Sequence, residues 1–269
     1  MYGQRAISLG DRMSNKANKA RVLIYDVETA PIIATVWGKY EQNFVWSIQD
    51  WYMLCFAYKW LGEKKTHVVS QTDFKDYKPG SEDDYDVVKK LHDLFEEADI
   101  IVAHNGNSFD QKKSQARMII HNMEPPAPYK QIDTKLVARK HFNFTSNKLD
   151  DLGDYLGLGR KIQTGGYDLW KQCMAGDMKA WRKMQKYNVQ DVVLLEKIYM
   201  KMRPWMNNHP KLGVLDGRPL ACDNCSSQKM HQHTKKTLAG QGWKYQYKCY
   251  DCGHYQIGTK INKFEDKLE

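Results

Sequence analysis

Four acidic residues in three separate segments are the part of this sequence best suited to chemistry. Asp26 and Glu28 lie in RVLIYDVET, Asp110 follows DIIVAHNGNSF, and Asp191 lies in KYNVQDVVLLEKI, with Tyr187 one helical turn before it. Carboxylates gathered in one place repel each other unless cations offset their charge. Hard oxygen ligands of this kind suit Mg²⁺ or Mn²⁺. The residues therefore predict a divalent-metal site if the fold brings the three segments together.

The segments around these acids predict the elements that would hold them. RVLIYDVE is apolar and β-branched, as in a strand, where residues two apart such as Asp26 and Glu28 point to the same side. DIIVA predicts a second strand, and Asp110 opens a helical stretch after the turn-rich HNGNSF. Tyr187 and Asp191 share one face of a long predicted helix. Singly, each acid could be an exposed strand end, a helix N-terminal acid or a solvated helix residue; jointly they favour one site.

Together these motifs resemble those of the DEDD exonucleases of the RNase H-like superfamily, in the branch with tyrosine in the last motif. The sister branch has a histidine five residues before the final aspartate, where this chain has Lys186. The resemblance spans about residues 20–205 and is greatest to the proofreading domains of family B polymerases and their stand-alone relatives. The matching residues are Asp26-Val27-Glu28-Thr29, His104-Asn105 with Phe109-Asp110, and Tyr187 with Asp191.

The resemblance implies hydrolysis of a phosphodiester bond at a 3′ end, assisted by two Mg²⁺ or Mn²⁺ ions about 3.5–4 Å apart. Asp26 would bridge the ions, Glu28 and Asp191 would complete the site that activates water, and Asp110 would support the second ion. Tyr187 would position or deprotonate the attacking water. Because an ordinary tyrosine pKa is about 10, orientation is the favoured role.

Three neighbouring residues are expected to bind the substrate: Thr29, Asn105 and Phe109. The substrate class is nucleic acid, with single-stranded DNA favoured over RNA, although both present the same scissile phosphates. Three alternatives stay open: an RNase H-like endonuclease, a ribonuclease, and a non-catalytic nucleic-acid-binding replication adaptor. The tyrosine and the HN…FD loop argue against an endonuclease, and the intact acidic residues argue against an adaptor.

Two Cys-x-x-Cys pairs near the C-terminus form the second motif. Cys222 and Cys225 are separated from Cys249 and Cys252 by 23 residues. Four thiolates in such pairs are typical of a closed, structural zinc site, and the segment resembles a zinc ribbon. A redox motif would not need a second copy, and disulfides would require a secretory signal that the sequence does not show. Three histidines could replace a cysteine as ligand: His231, His233 and His254.

Length and order of segments predict the architecture. The 269 residues can hold one α/β domain and a small appendage that needs a metal to fold. Strand-like and helical segments alternate, which predicts a mixed sheet flanked by helices; with the resemblance, the fold class is RNase H-like with a small C-terminal zinc ribbon. The predicted domains are a flexible basic arm (1–19), the exonuclease domain (20–205), a linker (206–218), the zinc ribbon (219–258) and a tail (259–269).

Charge and composition bear on partners and location. The net charge is +9, although several acids are expected to concentrate in one cleft, which fits a phosphate-backbone substrate. The ribbon would grip nucleic acid or dock a replication or polymerase partner. WYMLCFAYKWL is too short to span a bilayer, and the cysteine usage predicts a cytoplasmic protein; its likeness to compact phage exonucleases suggests a host cytoplasm. GLGRKIQTGG follows a helix rather than a strand, so a phosphate-binding loop is not predicted there.

Overall fold

The computed structural model describes residues 19–40, 43–206, 208–218, 221–238 and 242–258. The chain divides into two compact units, one of Arg21–Pro210 and one that combines Met1–Ala20 with Lys211–Glu269. Nearly all of the predicted basic arm and the whole predicted tail lie outside the described residues. The predicted linker, residues 206–218, spans the boundary between the units and contains a one-turn helix, α7 (Leu212–Leu215).

The larger unit alternates strands and helices. Its strands are β1 (Val22–Thr29), β2 (Ile33–Thr35), β3 (Trp46–Gln49), β4 (Met53–Trp60), β5 (His67–Ser70), β6 (Ile100–Ala103) and β7 (Lys130–Asp133). Its helices are α1 (Tyr85–Glu97), α2 (Asp110–Ile120), α3 (Thr134–His141), α4 (Leu149–Tyr155), α5 (Tyr167–Met174) and α6 (Met178–Met202), with 3₁₀ turns at Gln71–Asp73 and Arg203–Trp205.

Five of these strands form a mixed sheet in the order β5-β4-β1-β6-β7 among the described residues. β4 runs antiparallel to β1 and β5 antiparallel to β4, whereas β6 and β7 run parallel to β1. This confirms the predicted mixed sheet. β2 and β3 pair separately as a two-stranded hairpin. The carboxyl ends of β1, β6 and β7 lie at one edge of the sheet, where ligands bind in open α/β sheets.

Side chains on the two faces of the sheet around β1 pack against different helices. Leu23, Tyr25 and Val27 pack with the apolar side of α1 and with Met118 of α2. On the opposite face, Leu54 and Cys55 of β4 pack with α5 and α6 residues that include Trp181, Met184 and Tyr187. Since side chains alternate along a strand, Asp26 and Glu28 point toward α6 rather than α1. The predicted flanking of the sheet by helices is therefore confirmed.

The long helix α6 begins at a clear capping residue. The Asp177 side chain accepts hydrogen bonds from the backbone N–H groups of Lys179 and Ala180, which would otherwise be unpaired at the helix N-terminus. The helix then runs for 25 residues across the sheet. Its length carries Tyr187 and Asp191, near its middle, to the end of β1, while Trp181 and Met184 anchor the preceding turns in the core.

The smaller unit is built on three antiparallel strands in its described part. These are β8 (Met230–Leu238), β9 (Gly242–Cys249) and β10 (Tyr255–Gly258), with β9 in the centre. Its described apolar core is small, and the cysteines contribute to it: Cys222 and Cys249 are fully buried beside Ala221 and Tyr247. Across the described part of the whole chain, no helix has both the length and the apolar character needed to cross a membrane.

Candidate functional site

Three of the four predicted acids meet at the end of β1. Asp26 and Glu28 project from the same face of the strand, and Asp191 faces them from α6; one carboxylate oxygen from each lies within 4.8 Å of the others. Asp191 is fully buried and the two strand residues are half-buried. Asp26 and Glu28 therefore lie on one side of the strand as expected, and the three side chains can hold a metal ion together.

The fourth acid, Asp110, reaches the cluster from the N-terminus of α2. Its Oδ1 accepts a hydrogen bond of 3.1 Å from the backbone N–H of Val27, the residue between the two strand acids. Asp110 is almost fully buried, and its charge is among the causes that raise the pKa of Asp26. The structure therefore brings together all four predicted carboxylates, although Asp110 lies outside the tight group of three.

Burial and mutual repulsion make these carboxylates difficult to ionise without cations. Burial, and then the Asp191 charge, raises the pKa of Glu28 to about 8. Burial raises the pKa of Asp110 to about 7, against the hydrogen bond from Val27. Burial, Asp110 and Glu28 likewise raise the pKa of Asp26. Clustered carboxylate oxygens that resist ionisation are the donor set that hard divalent cations such as Mg²⁺ or Mn²⁺ stabilise, so the residues fit such ions.

The sequence also matches a known protein family. A model of the RNase_H superfamily matches residues 50–203, more than half of the chain. The chain belongs to the RNase H superfamily. The matched range contains Asp110, Tyr187 and Asp191, whereas β1 with its two acids precedes it. Membership supports nuclease chemistry in general, which is hydrolysis of nucleic acid with divalent metal ions.

Comparison with solved structures finds similar chains. A family B DNA polymerase from the hyperthermophilic archaeon Pyrobaculum calidifontis is similar at 14% sequence identity and a TM-score of 0.48, over 81% of this chain and 31% of the polymerase. The chain thus spans about a third of the length of that polymerase. No curated protein matches the sequence.

Lys161 is a site residue of this RNase H superfamily chain that the sequence analysis missed. Its Nζ lies 2.6 Å from Oδ2 of Asp191 and 4.9 Å from the centre of the Tyr187 ring. Burial disfavours its charge, but the carboxylates of Asp191 and Asp26 outweigh burial and raise the pKa of Lys161 above its usual value. Lys161 lies in GLGRKIQTGG, where the glycines and the basic pair were the available signal, although that segment is not a phosphate loop.

Asn188 is a second missed residue. It is fully buried on α6, next to Tyr187, and its Nδ2 donates to Oδ2 of Asp26 at 2.7 Å. The same nitrogen lies 3.3 Å from the Asp26 carbonyl oxygen, while Oδ1 of Asn188 accepts from the thiol of Cys55 at 3.8 Å. Asn188 thereby holds one oxygen of Asp26 in place and leaves the other for a ligand. The sequence signal that could have found it is its spacing of three residues from Asp191, which places the two side chains on one face of a helix.

Tyr187 lies where its hydroxyl can act on the carboxylate cluster. Burial, followed by the charges of Asp191 and Glu28, raises the pKa of Tyr187 above its usual value. Its ring lies 4.9 Å from Nζ of Lys161, and Asp191 lies one turn further along the same helix. A phenol that resists deprotonation donates a hydrogen bond rather than removing a proton, so the geometry favours an orienting role.

The predicted substrate-binding residues lie at the end of β1 and in the loop that precedes α2. Thr29 ends β1, and Phe109 is partly exposed immediately before α2. Asn105 adopts a left-handed backbone (φ 68°), and its N–H donates to Oδ1 of Asp133 at 3.0 Å. A side chain at the next residue, Gly106, would come within 2.6 Å of the Ala103 Cβ atom, so this turn requires glycine. The Asp133 carboxylate also accepts from the N–H of Asn107, at 3.1 Å, so its two hydrogen bonds fix the conformation of this loop.

His104, which belongs to the second motif, has a structural role. Its Nδ1 lies 2.9 Å from Oγ1 of Thr134 and its Nε2 lies 3.0 Å from the Asn147 carbonyl oxygen. Burial lowers its pKa to about 4. A neutral imidazole with both nitrogens engaged ties the loop to α3 and is not available to the substrate.

The four predicted zinc ligands cluster in the smaller unit. The Sγ atoms of Cys222 and Cys252 are 3.6 Å apart, as are those of Cys225 and Cys249. A disulfide would need about 2.05 Å, whereas sulfurs bound at about 2.3 Å to one tetrahedral zinc lie close to 3.8 Å from each other. The described histidines do not join this group. The spacing excludes the two-disulfide alternative in this structure and fits a four-cysteine metal site.

Proposed function

We propose that this chain is a metal-dependent 3′→5′ exonuclease that hydrolyses phosphodiester bonds of single-stranded nucleic acid, with DNA favoured. The observation that carries the proposal is the meeting of Asp26, Glu28 and Asp191 within 4.8 Å, with Asp110 behind them and Tyr187 one turn away on α6. The 3′ polarity and the tyrosine branch come from the motif resemblance. Tyr187 four residues before Asp191, with Lys186 at the position of the sister branch's histidine, supports that assignment.

Each side chain has a distinct task in this proposal. Asp26, Glu28 and Asp191 would hold the metal ions, with Asp110 supporting them. Such ions, when bound, stabilise charge on the reacting phosphate and acidify water. Asn188 keeps the Asp26 carboxylate oriented through its 2.7 Å hydrogen bond. Tyr187 would donate its hydroxyl hydrogen to orient the attacking water, and Lys161 offsets negative charge until cations or phosphate arrive.

The decisive experiment uses single strands labelled at the 5′ end, with Mg²⁺ and the full chain. A ladder that shortens from the 3′ end supports the proposal, internal cuts would show an endonuclease, and an intact strand would show a binding adaptor. Asp26→Asn, which removes one charge and preserves shape, is the matched inactive control. Parallel reactions on single- and double-stranded DNA and RNA identify the favoured substrate and test the ribonuclease alternative.

We further propose that the four-cysteine cluster holds one structural zinc ion and that the domain over residues 219–258 is a zinc ribbon that contacts nucleic acid. Lys236 of β8 lies directly opposite Lys244 of β9, an arrangement that costs stability unless an anion is nearby. On the adjacent pairs, Nζ of Lys235 lies 4.5 Å from the Trp243 ring centre. Exposed lysines interleaved with aromatic rings suit phosphates and bases of a single strand.

A charge-reversal variant separates this role from docking of a replication partner. Lys236→Glu is expected to pair with Lys244 without disturbing the fold, to weaken strand binding and to flatten its salt dependence. Lys90→Glu, on the exposed side of α1, is the control for the change in net charge. Equal strand affinity for both variants at low and high salt would contradict nucleic-acid binding and favour a protein partner.

A further inference from the structure

A cavity of about 300 Å³ lies beside the catalytic carboxylates in the larger unit. This volume is at the lower end of small-ligand pockets, roughly 300–1,000 Å³. It is lined by the end of β1 and the residues after it, by Trp51 between β3 and β4, and by side chains of α2 and α5. The lining residues are Thr29, Ala30, Pro31, Ile32, Trp51, Lys113, Tyr167 and Trp170.

The cavity adjoins the catalytic residues on each element that forms it. Thr29 directly follows Glu28 on β1, and Lys113 lies one turn after Asp110 on α2. The ring of Trp170 in α5 lies edge-on to that of Tyr187, with 6.2 Å between the ring centres. If the scissile phosphate of a strand lies at the carboxylates, the cavity is therefore in position to receive the neighbouring nucleotide of the same strand.

The lining has the chemistry of a nucleotide site. Three aromatic residues and one cation surround the space, and none of the described residues that line it is acidic. Nζ of Lys113 lies 3.5 Å from the centre of the Trp51 ring and 5.8 Å from that of Phe109. Burial lowers the pKa of Lys113, and a bound phosphate would offset that loss of hydration. Aromatic faces beside one cation fit a nucleotide, whose base is flat and neutral and whose phosphate carries the negative charge.

We propose that this cavity is a subsite for one unpaired nucleotide of the substrate strand, whose base stacks on Trp51 and whose phosphate is bound by Lys113. The inference rests on the proposed nuclease function and deepens it. A base of a duplex has to leave its pairing partner and its stacked neighbour before it can enter the cavity. The subsite therefore makes the site selective for single-stranded ends.

Binding of a labelled oligothymidylate to the full chain, with Ca²⁺ in place of Mg²⁺, tests the subsite without turnover. Trp51→Ala is expected to weaken binding about 5-fold or more, the scale of one base–aromatic stack, and Trp51→Phe to restore most of it. Lys113→Met is expected to lower the slope of log affinity against log salt by about one. Lys112→Met, on the exposed side of the same helix, and Trp205→Ala, an exposed ring on another element, are the matched controls.

Strands that lack one base, at successive positions from the 3′ end, distinguish base stacking from a structural role of Trp51. Removing the base that occupies the subsite should weaken binding to the wild type but not further weaken binding to Trp51→Ala. The same loss in both proteins at every position, or affinities of Trp51→Ala and Lys113→Met within about 2-fold of the wild type, would overturn the subsite. If the variants give these contrary results but the wild type still binds and degrades strands, the subsite is wrong and the proposed function is not contradicted. A wild type that does neither contradicts the proposed function itself.

If Trp51→Ala is unfolded at the assay temperature, the binding of the same strands by Trp51→Phe and Lys113→Met tests the subsite instead. A Lys113→Met slope equal to that of the wild type would then contradict phosphate binding at the subsite.

Discussion

Nζ of Lys161 lies 2.6 Å from Oδ2 of Asp191, so the deepest carboxylate of the cluster is paired with a cation of the protein itself. Asp191 is fully buried, and an unpaired buried carboxylate would be costly. Lys161 comes from the irregular segment after α4 and is more exposed than its partner. The pair stabilises the metal-free site, and the lysine competes with any cation for the same oxygen.

Lys161→Met is therefore expected to have two opposite effects. The metal-free protein loses up to about 3 kcal/mol of stability, because Asp191 is left without its partner. Mg²⁺ binds more tightly, because Asp191 is free to ligate. Thermal melting with and without Mg²⁺ and a titration of activity against Mg²⁺ measure both effects. An unchanged half-saturating Mg²⁺ concentration would contradict the competition, and Lys197→Met, on the exposed side of α6, is the control.

Asp26→Ala is expected to abolish hydrolysis and to raise, or leave unchanged, the stability of the metal-free protein. The residue is the central metal ligand in the proposed function, so its loss should cost several kcal/mol of transition-state stabilisation, at least about 100-fold in rate. Its removal also relieves repulsion from Asp110 and Glu28. Turnover assays and thermal melting in a chelator check the two parts. A variant that retains about a tenth of the wild-type rate would show that the site is misassigned.

Tyr187→Phe is expected to lower kcat by roughly 100-fold with little change in substrate affinity, since only the hydroxyl that orients water is lost. Single-turnover kinetics with a bound strand measures this directly. Tyr199→Phe is the matched control, because it removes a hydroxyl from the same helix that bonds to His209 at 2.8 Å. Equal turnover by the two variants would make Tyr187 a packing residue.

Stability of the metal-free protein is expected to fall as the pH rises from about 5 to 8. In the folded chain the pKa of Glu28 is about 8 and that of Asp110 about 7, whereas unfolded carboxyls titrate near 4. The folded state therefore binds more protons across this window, and its stability is lost as the pH passes through the raised values. Mg²⁺ should then raise the melting temperature more at pH 8 than at pH 6. Asp110→Asn should flatten the pH dependence; an equal slope in that variant would contradict the assignment.

Cys249→Ser is expected to release zinc and to unfold the ribbon while the larger unit stays folded. The described core of the smaller unit is too small to fold by itself, so metal binding would supply its folding free energy. Metal analysis and hydrogen exchange, resolved over residues 221–258 and 21–206, follow the two units separately. Cys173→Ser, which alters a buried thiol of the larger unit, is the control. Zinc retained by Cys249→Ser would contradict the ligand set.

The sequence by itself determined those parts of the site that depend on local periodicity. Asp26 and Glu28 share a face because strand side chains alternate, and Tyr187 and Asp191 do so because helical residues four apart are neighbours. The first strand and the strand of DIIVA followed from apolar patterning in the same way. The spacing of the cysteines likewise predicted their cluster, because such pairs form a local turn around one ion.

Tertiary structure alone decided which distant groups complete that site. Lys161 lies in a segment without periodicity, and the basic pair between glycines there does not indicate that it reaches Asp191. Asn188 bonds to Asp26 only because α6 crosses the end of β1, and Asp110 bonds to the Val27 backbone only because α2 begins beside that strand. The cavity beside Trp51 and Lys113 likewise forms from four separate segments. Contacts between elements depend on how whole helices and strands pack, and local patterns do not encode that packing.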